Sequence, residues 1–108
     1  MALNKLAFMV DTVGNNTFIR NPALQVTNLV LKAGEPQSFT TPTDTRAVIF
    51  SANGEYWVNA NGSASIPESS TNNGSELNPM GYQVSADVRL SIIAPTEGTR
   101  VSIAVYSA

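Results

Sequence analysis

The chain contains no histidine and no cysteine, and only eight of its 108 residues are carboxylates. His and Cys supply most general bases, metal ligands and activated nucleophiles near neutral pH. Their absence leaves few routes to chemistry, so a non-enzymatic protein without cofactor or metal is expected. Charge of any sign is scarce at 13% of residues, about half the usual share. The basic residues Lys5, Arg20, Lys32, Arg46, Arg89 and Arg100 stand singly. Nucleic acid binding needs a basic stripe or patch, and so nucleic acid is not an expected partner. Long hydrophobic runs are missing too. No segment approaches the ~18 apolar residues of a transmembrane helix, so no membrane association is expected. Residues 1–10 carry one cation, and Asp11 interrupts them before they reach the length of a signal-peptide apolar core. The expectation is a protein made and folded in a cytoplasm.

What is present suits β structure. Asn, Ser and Thr make up about 30% of the chain and apolar residues 43%. No long window sustains apolar spacing at i, i+3, i+4 and i+7, so helices are not expected. Residues 24–32 open with alternation and become continuously apolar at Leu29 to Leu31. Residues 37–41 form a short strand ended by Pro42. Residues 46–51 and 55–59 flank Ala52-Asn53-Gly54, and Asn-Gly supplies the positive φ values that a tight hairpin demands. A second Asn61-Gly62 leads into residues 63–66, a third strand of the same meander. Near the C-terminus, residues 88–93 and 99–106 flank a five-residue hairpin loop, 94–98. In that last strand Val101, Ile103 and Val105 share one face. Arg100, Ser102 and Ala104 share the other, which is expected to face solvent or an interface.

Seven or eight short strands with regular turn signals predict an all-β fold: one antiparallel β-sandwich or small barrel, jelly-roll-like or immunoglobulin-like. A single domain spanning residues 1–108 fits this length. It carries an N-terminal segment, residues 1–20, able to act as an arm, and a long polar loop, residues 67–81. Loops of that length are usually functional or disordered.

Reactive constellations are wanting. Glu55, Glu68 and Glu76 match no calcium-loop pattern and read as solvated charges. Ser and Thr hydroxyls lack a histidine base, and neither a G-x-S-x-G elbow nor a phosphate-cradling glycine loop occurs. Tyr56 and Trp57 are adjacent and so face opposite sides of a strand. The favoured arrangement puts Trp57 in the core and Tyr56 over a sheet face, rather than making either a ligand platform. Leu77, Pro79 and Met80 sit among polar residues, either covering one end of the sandwich or forming a contact arm. Leu3, Leu6, Phe8 and Val10 pose the same choice between an edge strand and an arm donated to a partner.

Three stretches carry a resemblance. Ala52-Asn-Gly-Glu-Tyr-Trp-Val-Asn-Ala-Asn-Gly-Ser-Ala-Ser-Ile-Pro67, then Gly74-Ser-Glu-Leu-Asn-Pro79, then Leu90-Ser-Ile-Ile-Ala-Pro95 with a β C-terminus resemble small tailed-bacteriophage virion proteins. The likeness covers about residues 45–106, and its motifs carry no chemistry. It implies a structural protein of the virion, a decoration or cement protein on the capsid surface, held in the host cytoplasm before assembly. The implied partners are the major capsid protein and further copies of the chain, as a dimer or trimer. The expected contacts are Leu3, Leu6, Phe8, Tyr56, Glu76, Leu77, Asn78, Pro79 and Met80, with deletion of residues 70–79 abolishing capsid binding but sparing the fold. The alternative is a carbohydrate- or receptor-binding module of a head or tail fibre, which calls for an exposed Tyr56 or Trp57.

Overall fold

The Val-, Ile- and Thr-rich segments form strands because β-branched and aromatic side chains pack well on a pleated, half-buried surface. In the computed structural model the described residues are 23–107, together with the backbone of two earlier strands. Those two, β1 (Phe8–Val10) and β2 (Asn16–Arg20), pair antiparallel with an irregularity in register. The other strands are β3 (Gln25–Leu31), β4 (Gln37–Thr40), β5 (Thr45–Ala52), β6 (Trp57–Asn59), β7 (Glu76–Leu77), β8 (Gly81–Gln83), β9 (Arg89–Ile93) and β10 (Thr99–Ser107). No helix occurs among the described residues.

Two four-stranded antiparallel sheets result, ordered β3-β10-β5-β8 and β4-β9-β6-β7. Of the connections between these strands, only β6 to β7 stays within a sheet; every other one crosses to the facing sheet. Eight strands wound in this way form the double-sheet jelly-roll arrangement. The all-β sandwich expected from the sequence is therefore present, in its jelly-roll rather than its immunoglobulin-like form.

Period-two alternation builds the core. Leu29, Leu31, Val48, Phe50, Val101, Ile103 and Val105 point inward from the first sheet, and Phe39, Val58, Leu90 and Ile92 from the second. Each such side chain contributes about 1.5–3 kcal/mol when fully buried. Register confirms the sidedness, since Ile103 lies opposite both Thr27 and Phe50, and Phe39 opposite Leu90. The other face of β10 is not uniformly wet: Arg100 is exposed, but Ala104 and Tyr106 are buried in a second cluster with Ala47, Ala23 and Ile49.

Several local expectations fail for one reason. Residues 46–51 and 55–59 are not a hairpin, because β5 pairs with β10 and β8 while β6 pairs with β9 and β7. Asn53 extends the pairing with β10 instead: its N–H donates to the Arg100 carbonyl (3.2 Å), and its Oδ1 accepts from the Arg100 N–H (2.9 Å). The turn then carries the chain across to the second sheet. Residues 94–98 likewise join β9 to β10 across the sandwich. Residues 63–66 form no strand, although the Ala64 N–H is tied to Ser91 Oγ at 2.8 Å.

Candidate functional site

Segment 76–83 wraps one edge of the sandwich, placing β7 in the second sheet and β8 in the first. What fixes it is a clamp around Tyr56. The Tyr56 N–H donates to Asn78 Oδ1 and the Asn78 N–H to the Tyr56 carbonyl, each at 2.9 Å. The buried Tyr56 hydroxyl donates to the Pro79 carbonyl. Asn78 takes a positive φ of 47°, a conformation that Asn and Asp tolerate better than other side chains. One turn later the Phe50 N–H donates to the Met80 carbonyl at 2.9 Å, starting the β8 pairing. Gly81 lies so close to β5 that a Cβ there would overlap the Val48 carbonyl oxygen.

Tyr82 closes the gap between the sheets. Its ring packs edge-on against Phe50, with centroids 5.7 Å apart, and its hydroxyl donates to Glu76 Oε1 at 2.6 Å. Burial raises the Tyr82 phenol well above its ordinary value, reinforced by the hydrogen bond and negative charge of Glu76 and by Tyr56. Burial also raises Tyr56, with a smaller push from Glu76. Every buried side-chain nitrogen or oxygen among the described residues has a partner. The segment is therefore held by the fold itself.

Two apolar side chains remain outside this internal economy. Met80 is 86% exposed and Leu77 is 48% exposed. Met80 borders an apolar hollow of about 270 Å³ over β5 and β8, lined also by Ala47, Ile49, Gly81 and Gln83. Leu77 lies opposite Trp57, which lies opposite the buried Ile93. Trp57 is half-exposed, and its indole N–H donates to Glu55 at 2.8 Å.

The expected contact residues thus separate. Tyr56, Glu76, Asn78 and Pro79 converge on one another, with Tyr56 and Pro79 buried. The expected positions of Tyr56 and Trp57 are reversed: Tyr56 is core, only 5% exposed, and cannot offer its ring to a partner. The pattern held the signal, since Tyr56 shares its face with the apolar Val58 and Trp57 with the polar Asn59. Leu3 and Leu6 lie outside the described residues; Phe8 lies in β1, whose side chains are likewise outside them. Deleting 70–79 would remove β7 and the Asn78 and Pro79 partners of Tyr56, so the structure argues against the expectation that this deletion spares the fold. Nothing local in the sequence marks Ile49, Ala47 and Gly81, because only the fold brings β8 beside β5.

No group of three or more acidic residues among those described is placed to hold a metal ion. No helix among them is long and apolar enough to cross a membrane. The molecule belongs, by architecture, to the small antiparallel β-sandwiches. Compared with protein families, curated proteins and solved structures, the chain gives no match.

Proposed function

We propose that this chain is a non-enzymatic structural protein of a tailed-bacteriophage virion, decorating the capsid surface by docking on the major capsid protein. The observation that carries the docking surface is Met80, an almost fully exposed thioether on a segment that hydrogen bonds to Tyr56 tie to the core. Met adapts to irregular partner surfaces, and a pre-ordered segment avoids the entropy cost of ordering upon binding. The resemblance over residues 45–106 supports the virion reading. Jelly-roll domains serve as both capsid and lectin modules, so the fold leaves function to its surfaces. A capsid offers many equivalent sites, and copies that associate gain avidity from modest individual interfaces.

Binding of Met80→Asp and Leu77→Asp variants to capsids lacking the protein tests this reading. Each substitution places a charge where an apolar contact is expected; Met80 is exposed enough to leave the fold unchanged, whereas Leu77 also gives up part of its packing opposite Trp57. Binding should weaken by about tenfold or more, equivalent to about 1.4 kcal/mol, with the Met80→Asp variant melting as the wild type does. Wild-type binding by the double variant would remove the docking surface.

The half-exposed Trp57 ring, flanked by Glu55 and Asn59, favours a second reading as a glycan-binding module of a fibre. Its indole N–H is already committed to Glu55, so a sugar would have to stack on the ring. Tryptophan fluorescence that shifts upon adding glycans, with no capsid binding, would transfer the assignment there.

A further inference from the structure

Three of the four outer strands of the sandwich are guarded against pairing. β4 spans four residues between Pro36 and Pro42, β7 spans two and β8 spans three. Short edges, prolines and charges are the usual protection against adding another strand. β3 has none of these. It runs seven residues, Gln25-Val-Thr-Asn-Leu-Val-Leu31, without a charge, a proline, a glycine or a bulge.

The direction of its free backbone groups follows from its neighbour. Val105 turns its carbonyl to the β3 side, accepting from the Leu24 N–H at 2.8 Å. Arg100 turns both backbone groups toward Asn53, at the end of β5. Odd-numbered residues of β10 therefore bond β3 and even-numbered ones bond β5. Because Asn28 lies opposite Ser102, the N–H and C=O groups of Val26, Asn28 and Val30 point away from β10, to the edge that no strand pairs among the described residues. The same three residues stand on the outer face, where Val26 is 54% and Val30 63% exposed.

We propose that β3 pairs antiparallel with β3 of a second copy of this chain, about a twofold axis at Asn28, fusing two four-stranded sheets into one of eight strands. The strand is self-complementary in this register. Val26 meets Val30 of the second copy, Asn28 meets its counterpart, and Leu24 meets Lys32. Each of the pairs 26–30, 28–28 and 30–26 then exchanges two backbone hydrogen bonds. The two valine pairs flank the central Asn28 pair on one face, adding an apolar contact on each side of the axis. Lys32 is the only charge in the register and falls opposite a leucine, so the axis brings no like charges together. An isologous contact of this kind closes at two copies. One pair of seven-residue strands belongs among small interfaces, below about 1,200 Å², so the dimer is concentration-dependent. The inference stands independently of the capsid reading, because it concerns only this chain.

Sedimentation velocity of the full chain from about 1 µM to about 1 mM tests it. The mass should rise from 11.5 kDa toward twice that value. Asn28→Pro removes one outward N–H and no bond to β10, a position where an edge strand accepts proline. That variant should remain monomeric throughout while melting close to wild type. Val26→Lys, which adds a charge near each end of the paired strands, should also stay monomeric, and it decides the matter if the proline variant unfolds. A wild-type chain that is monomeric at every concentration, or that forms a trimer, would overturn the proposal. So would folded variants that dimerise as the wild type does.

Discussion

Replacing Asn78 tests whether the Tyr56 clamp orders the exposed segment. Asn78→Ala has two separable costs. The buried Tyr56 N–H loses the Oδ1 acceptor at 2.9 Å, a loss of about 1–1.5 kcal/mol. Alanine must also adopt the positive φ of 47°, which adds about 1 kcal/mol. The sum is about 2–2.5 kcal/mol. Asn78→Gly loses the acceptor without strain and should cost about 1 kcal/mol. Asn78→Asp keeps both an acceptor oxygen and tolerance of this conformation, and should stay within about 0.5 kcal/mol of wild type. At roughly 4 °C per kcal/mol for a chain of this length, thermal melting should rank the variants Asp, Gly, Ala. The alanine variant should fall by about 8–10 °C. If glycine destabilises as much as alanine, backbone strain plays no part. If all three melt with the wild type, the clamp does not hold the segment.

Three other outcomes bear on the same edge of the sandwich. Gly81→Ala drives a methyl into the Val48 carbonyl, so β8 must move off β5; melting should fall and the amides of residues 81–83 should lose hydrogen-exchange protection first. Tyr56 and Tyr82 both have phenols raised above the ordinary value near 10, so the fold favours their protonated forms. Their stabilisation is complete below pH about 10 and declines as pH rises above it, and melting should be flat to about pH 9 and fall beyond. Burial is the larger cause of both raised phenols and Glu76 adds to it, so in Glu76→Gln phenolate absorbance should develop at somewhat lower pH than in wild type; an unchanged titration would contradict the contact.

Strand positions were legible because alternation and turn residues are local. β3, β4, β5, β9 and β10 fall close to their sequence-predicted spans, and the inward set Val101, Ile103 and Val105 was correctly read from period two alone. Partnership was not legible. Asn53-Gly54 marks a reversal, but a reversal into the facing sheet carries the same residues as one into a neighbouring strand. What decides is that Val58 finds Ile92 across from it, thirty-four residues on. In a jelly roll nearly every connection is of this crossing kind, so hairpin signals mislead repeatedly. The site was half legible: Leu77 and Met80 stood out as apolar residues in a polar stretch. That Asn78 and Pro79 turn inward to Tyr56 depends on packing from residues more than twenty positions away.

Cosedimentation of the purified chain with expanded capsids that lack it decides whether the chain docks on the capsid. Saturable binding at a fixed ratio to the major capsid protein, weakened by Met80→Asp, is the expected result. Absence of binding to any capsid form, by a chain shown to be folded, would contradict it.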